Sequence, residues 1–150
     1  MADLSKPERR SVEHVTRGVS RFLRSLDRSA LTEVVLASSR RADILSIGPK
    51  GDIWIIEIKS SVQDFRSDSK WPEYRLYCDQ FFFACDATVP QSIFPEDTGF
   101  ILGDSYGADI ARPAPLHALA PARRKEILIR VARMASNRLH YINDPIISHF

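Results

Sequence analysis

The chain has few of the residues on which several function classes depend. Its 150 residues include two cysteines, Cys78 and Cys85, which are too few for a disulfide scaffold and lack the paired spacing of a zinc site. Four histidines are scattered and form no cluster with cysteine, which disfavours zinc chemistry and a Ser-His-Asp triad. The sequence contains no Gly-x-x-x-x-Gly-Lys loop, so nucleotide hydrolysis is not indicated.

Long hydrophobic segments are also missing. No stretch approaches the roughly 18 apolar residues that cross a membrane, and no apolar run of a signal peptide follows the charged N-terminus. Hydrophobic residues make up 44% and charged residues 27% of a chain with a net charge of +2, which is an ordinary globular composition. We therefore expect one reduced, cytoplasmic domain over residues 1–150 with no membrane partner. The small net charge neither supports nor excludes a local DNA-binding patch.

The order of the predicted elements is typical of a mixed α/β sheet with helices on both faces. Ser5-Lys6-Pro7-Glu8 has the form of a capping box, and the apolar residues after it recur at helical spacing, which predicts a first helix of about 20 residues. The β-branched and apolar patterns that follow predict further strands, turns and helices. These are strands at 31–37, 41–47 and 53–58, a helix at 70–78, a strand at 80–85, a loop at 86–98, a hairpin at 100–111 and a last helix from Pro121.

One predicted strand carries charges at its end. It reads Ile-Trp-Ile-Ile-Glu-Ile-Lys over residues 53–59 and is apolar on both faces before the charges, which indicates a central strand. Residues two apart in a strand share a face, so Glu57 and Lys59 project on the side of Ile53 and Ile55. A carboxylate and an ammonium in this position are costly to desolvate without partners. The simple alternative is a strand that leaves the core and exposes both charges to water.

Asp43 on the preceding strand gives this pair its context. The turn signal at residues 48–52 predicts a tight hairpin, which would return Asp43 to the Glu57 end of its neighbour. Two carboxylates at close range raise each other's pKa and persist mainly when a cation binds them. Mg²⁺ (or Mn²⁺) suits such a site, with Asp43, Glu57 and the backbone carbonyl of Ile58 as ligands. Lys59 would orient or deprotonate a water, or neutralise the charge that develops on a phosphate.

These residues resemble a known signature. The chain resembles the PD-(D/E)XK nuclease superfamily over roughly residues 8–85. The resemblance lies in the order of the elements and in the motif, which has Asp43, thirteen intervening residues and then Glu57-Ile58-Lys59. The resemblance implies a restriction-endonuclease-like core and a metal-dependent DNA nuclease that hydrolyses phosphodiester bonds. Ala42 stands where the name-giving pattern has proline, which is not a ligand.

A narrower resemblance covers most of the chain. Several segments look like the MmcB-like DNA repair proteins of bacteria, and this resemblance implies a DNA repair role that composition and spacing do not show. The segments are Arg41-Ala42-Asp43-Ile44, Glu57-Ile58-Lys59-Ser60-Ser61, Asp64-Phe65, Asp68, Lys70-Trp71-Pro72-Glu73-Tyr74 and Cys78-Asp79-Gln80-Phe81-Phe82-Phe83-Ala84.

The superfamily resemblance also suggests residues around the centre. A glutamate on the first helix often completes the acidic cluster there, which makes Glu13 a further metal ligand, with Glu33 as its rival. For Glu13 the alternative is a solvated helix residue, and for Glu33 it is a pairing with Arg40 or Arg41. The predicted DNA contacts are Ser60, Ser61, Lys70, Tyr74 and Gln80. The two serines serve equally well as turn residues, and the other three as packing or surface residues.

The sequence therefore predicts a Mg²⁺- or Mn²⁺-dependent deoxyribonuclease, and it leaves open endo versus exo action and whether the DNA is duplex, single-stranded, damaged or branched. The domain is small for a nuclease, so a homodimer could reach both strands. A basic last helix is either a phosphate-binding stripe or a solvated face. Two alternatives remain for the chain. It could be a non-cleaving DNA-binding or partner-docking module of the same fold, or a structural protein in which the charges form an ion-pair network.

Overall fold

A computed structural model describes residues 6–145 and confirms the predicted mixed α/β architecture. Within these residues, six strands form one sheet in the order in which they occur in the chain. The first three strands are antiparallel, the third to the fifth are parallel, and the sixth is antiparallel to the fifth. The strands are β1 (Ser29–Val35), β2 (Arg41–Ile47), β3 (Ile53–Ile58), β4 (Gln80–Cys85), β5 (Gly99–Gly103) and β6 (Ala108–Arg112).

The helices follow the sequence-based prediction with two short additions. Helices α1 (Lys6–Ser25) and α3 (Pro121–Asn143) confirm the two long helices, and the helix predicted near residue 70 is a 3₁₀ helix, Trp71–Tyr77. Ser5, the first residue of the predicted capping box, lies outside the described residues. The additions are the short helix α2 (Val62–Ser67) and a three-residue 3₁₀ helix after β4, Gln91–Ile93. Helix α2 escapes prediction because its sequence has no apolar periodicity; it begins where the Ser61 hydroxyl accepts the Asp64 N–H.

Strand β3 lies inside the sheet with an apolar layer on each face, as its sequence predicts. Its odd-numbered residues, Ile53 and Ile55, pack with the 3₁₀ helix Trp71–Tyr77 and α3. Its even-numbered residues, Ile56 and Ile58, pack against α1. This alternation puts Glu57 on the face that the 3₁₀ helix and α3 cover.

Asp79 ties α3 to the start of β3. Its carboxylate accepts two hydrogen bonds from the Arg124 guanidinium, at 2.6 and 2.8 Å, and one each from the N–H groups of Ile53 and Leu119, at 2.7 and 2.9 Å. Asp79 is 2% exposed. These bonds lower the pKa of Asp79 to about 2, against the opposing effect of burial.

Among residues 6–145, no helix has both the length and the apolar character that a membrane crossing requires.

Candidate functional site

Strands β2 and β3 separate at one end, and Asp43 and Glu57 bridge the gap with their side chains. The last paired residues of this ladder are Ile44 and Ile56. Beyond them, the Glu57 carboxylate accepts the Asp43 N–H (N···Oε1 2.9 Å), and the Asp43 carboxylate accepts the Ile58 N–H (N···Oδ2 2.8 Å). Each acid takes the place of a backbone partner, so the two carboxylates are held side by side. The structure brings this pair together as the hairpin predicts.

The environment of the two carboxylates favours their protonated forms. Glu57 is 5% exposed, and burial raises its pKa well above the ordinary value of 4.5, with a further rise from the Asp43 charge. Burial also raises the pKa of Asp43, although the Ile58 N–H and the Lys59 charge act in the opposite direction. Such a pair releases its protons readily only when a cation takes their place.

We expect the metal-free protein to lose stability as the pH rises above 4.5, the ordinary pKa of a glutamate. A carboxyl group with a raised pKa in the folded state stabilises the fold below its unfolded pKa, and this contribution is lost as the pH rises through the folded pKa. Glu57→Gln keeps the shape and the hydrogen-bond acceptor but cannot ionise. Thermal unfolding of both proteins with a chelator should show a falling midpoint for the parent and a flatter profile for the variant. Parallel profiles would contradict the raised pKa of Glu57.

Lys59 lies on the same side of the sheet as the acidic pair and makes an ion pair with Asp68. The distance from Lys59 Nζ to Asp68 Oδ2 is 2.6 Å, and the side chain of Lys59 is 6% exposed. The other oxygen of Asp68 accepts the N–H groups of Lys70 and Trp71 at the start of the 3₁₀ helix. Glu57 and Lys59 are therefore buried at the end of β3, whereas the simple alternative had both charges exposed to water. Asp68 and the following 3₁₀ helix cover them.

Tyr74 supports the site from the 3₁₀ helix. Its hydroxyl donates to the backbone carbonyl of Arg41 (2.9 Å), two residues before Asp43. Burial raises the pKa of Tyr74, and the charges of Glu57 and Asp43 raise it further. The predicted DNA contact is thus a buried group that holds the start of β2.

The two serines after Lys59 serve the turn into α2. Asp64 Oδ2 accepts both the N–H (2.9 Å) and the hydroxyl (3.2 Å) of Ser60, while Ser61 caps the helix. Ser60 is 9% exposed. The structure therefore uses both residues in their alternative role as turn residues.

The remaining two predicted DNA contacts lie in different surroundings. Lys70 is exposed at the start of the 3₁₀ helix, close in sequence to Asp68. Gln80 lies at the first residue of β4, opposite Trp54 and remote from the Glu57 end of β3. Its side chain accepts the Trp54 indole N–H (2.9 Å) and donates to the Ala114 carbonyl (2.8 Å). The structure gives Gln80 a packing role.

Neither Glu13 nor Glu33 is brought to the acidic pair. Glu13 is exposed on α1, which covers the opposite face of the sheet. Glu33 is exposed and pairs at 4.0 Å with Arg41, one of the two arginines expected for it. Its backbone has a φ of +52°, which is unusual for a residue with a side chain, and Arg138 of α3 donates to its carbonyl (2.7 Å). Within residues 6–145, no three His, Cys, Asp or Glu side chains form a metal-binding group.

The donor set of two carboxylates nevertheless suits a hard divalent cation. Mg²⁺ is often held by one or two carboxylates, retains several waters and takes further ligands from substrate phosphate. Asp43 and Glu57 are adjacent oxygen donors with raised pKa values. The backbone carbonyl of Ile58 belongs to the residue whose N–H already binds Asp43.

Comparisons with known proteins agree with this fold and place the chain in a family. A solved structure of a protein of unknown function from Silicibacter pomeroyi is similar over 96% of this chain and 95% of its own, with 40% sequence identity and a TM-score of 0.87. No curated protein matches the chain. The family described as DNA repair protein MmcB-like matches residues 2–146. The chain therefore belongs to the MmcB-like DNA repair protein family.

Proposed function

We propose that this protein is a divalent-metal-dependent DNA nuclease with a PD-(D/E)XK-type core. The observation that carries the proposal is the pair of buried carboxylates, Asp43 and Glu57, at the point where β2 and β3 separate. Lys59 lies on the same face, so the three residues of the motif share one site. Membership of a DNA repair family supports DNA as the substrate.

The proposal assigns Asp43, Glu57 and the Ile58 carbonyl as ligands of Mg²⁺ or Mn²⁺. When bound, the ion would neutralise phosphate charge and make a coordinated water more acidic. Desolvation of the carboxylates is unfavourable in the protein alone, as the raised pKa values of both acids show. The site therefore has a physical reason to take up a cation once DNA brings its phosphates.

Lys59 contributes a positive charge in this proposal. Its ion pair with Asp68 orients the ammonium, and Asp68 is itself held by two N–H groups of the 3₁₀ helix. An oriented charge at a buried site stabilises the charge developing on a phosphate more strongly than a mobile one, because it needs no reorganisation. Of the roles predicted for Lys59, the electrostatic role is supported best. Asp68 is then a positioning residue.

Calorimetric titration with Mn²⁺ and Mg²⁺, in the presence of non-cleavable DNA, tests the ligand assignment. We expect carboxylate-dependent binding that weakens by at least about tenfold in Asp43→Asn and Glu57→Gln, because each loses a charged oxygen donor. Glu96→Gln removes an exposed carboxylate from the loop after β4 and is the matched control. A parental protein that takes up neither ion at any pH would contradict the assignment.

A cleavage screen over duplex, single-stranded and branched DNA tests the activity itself, with Glu57→Ala as the inactive control. Light scattering of the same samples tests the expected homodimer. A protein that binds DNA but cuts no substrate with either metal would instead be a non-cleaving recognition module.

A further inference from the structure

The outer face of α1 carries a row of basic side chains. The side chains of this row are exposed, and their spacing of three and four residues places them in one stripe along the helix. This α1 stripe consists of Arg10, His14, Arg17, Arg21 and Arg24. The stripe lies opposite the buried residues Val15, Val19 and Leu23, which pack against the sheet. From Arg10 to Arg24 the helix rises by about 21 Å, at about 1.5 Å per residue.

Among the described residues, the arginine side chains of this stripe differ from most other arginines because they have no partners. Within residues 6–145, the side chains of Arg10, Arg17, Arg21 and Arg24 make no hydrogen bond, ion pair or ring contact. In the part of the chain that the structure describes, six arginines elsewhere pair with a carboxylate. These are Arg28 with Asp52, Arg40 with Glu73, Arg41 with Glu33, Arg75 with Asp97, Arg124 with Asp79 and Arg130 with Glu126. Glu13 is the one carboxylate on α1 between Arg10 and Arg24, so the positive charge of the stripe is largely uncompensated.

The stripe is separate from the candidate active site. Helix α1 packs on the face of β3 that carries Ile56 and Ile58, whereas Glu57 lies on the other face. A protein whose overall charge is only +2 thus concentrates positive charge on a surface that the proposed chemistry does not use.

We infer that the α1 stripe binds the phosphate backbone of DNA outside the active site. Guanidinium groups bind phosphate oxygens with two parallel hydrogen bonds, which makes arginine well suited to nucleic-acid backbones. The stripe has the axial length of about six base pairs at 3.4 Å per pair. The inference rests on the proposed function only in taking DNA as the partner, and it does not require cleavage. The contact holds DNA without reading its sequence, since phosphate contacts carry no sequence information directly.

Salt-dependent DNA binding tests this surface. The test variant is Arg17→Gln with Arg21→Gln, and the matched control is Lys125→Gln with Arg133→Gln, which removes two exposed charges from α3. Fluorescence anisotropy with a duplex of about 20 base pairs, in chelator, measures affinity from low to high salt. The logarithm of the association constant falls as the logarithm of the salt concentration rises. We expect this dependence to be shallower in the test variant, with a slope smaller in magnitude by about 1.8, at about 0.9 per lost phosphate contact. Affinity at low salt should fall by about tenfold or more, and the control should change by less than about twofold.

The outcomes separate the stripe from the nuclease proposal. An unchanged slope in the test variant overturns the inference and leaves the nuclease proposal standing. An equal loss in both variants also overturns it, because net charge alone would explain the loss. If the parental protein does not bind DNA but binds phosphatidylserine vesicles, the inference is overturned and the stripe is a membrane-binding surface. If only the test variant loses DNA binding and the parental protein never cleaves DNA, the inference about the stripe is confirmed and the nuclease proposal is wrong.

Discussion

Replacing Lys59 with alanine is expected to reduce DNA cleavage by about a hundredfold or more. The substitution removes the one cation of the motif and leaves the proposed metal ligands, Asp43 and Glu57, in place. Losses of this size are typical when an electrostatic or acid–base group is removed from an active site. DNA affinity should change little, because affinity comes from many phosphate contacts spread over the surface.

Single-turnover cleavage and DNA binding, measured on the same preparations, check this result. Asp68→Asn is the informative companion, because it removes the charge that orients Lys59 and leaves Lys59 itself. We expect it to lower the cleavage rate less than Lys59→Ala does. Thermal unfolding must show that both variants fold, since Lys59 is buried. If the Lys59→Ala protein cuts DNA at the parental rate, Lys59 has no role in the cleavage reaction.

Replacing Asp79 with alanine is expected to destabilise the protein by about 3 kcal/mol, which is typical when one partner of a buried ion pair is removed. Asp79 is 2% exposed and accepts four hydrogen bonds that join β3, the segment before α3, and α3 itself. Its loss leaves the N–H groups of Ile53 and Leu119 without their acceptor, and Arg124 without its counter-charge.

Urea unfolding of Asp79→Ala and of Asp97→Ala measures this effect against a matched control. Asp97 also pairs with an arginine, Arg75, but its side chain is 67% exposed, so its removal should change stability by less than about 1 kcal/mol. The parental protein should also lose stability as the pH falls from about 4 towards 2. The pKa of Asp79 is lowered to about 2 in the folded protein. The ionised group therefore stabilises the fold fully above its unfolded pKa of 3.8, and this contribution is lost as the pH falls towards 2. Equal effects of the two substitutions would show that Asp79 is not a structural centre.

Local periodicity in the sequence determines much of this fold. The helical spacing of Val15, Val19 and Leu23 predicts the buried side of α1, since residues three and four apart share a face. The run that is apolar on both faces predicts β3 as an interior strand, because each face of the sheet needs its own covering layer. Alternation along a strand also puts Glu57 and Lys59 on one side, and the turn after β2 brings Asp43 to Glu57. These features depend on neighbours in sequence or on a single hairpin.

Tertiary structure alone decided which groups complete the site. The sequence shows which side of α1 is buried but not which face of the sheet that side covers, and this choice leaves Glu13 away from Glu57. The ion pair between Lys59 and Asp68 has no sequence signal, because it depends on how α2 and the 3₁₀ helix fold back over the end of β3. The sequence offers Gln80 as a DNA contact. In the structure Gln80 pairs with Trp54, which places it at the end of β3 opposite to Glu57. Such contacts join segments whose relative position is set by the packing of the whole sheet, so no local pattern contains them.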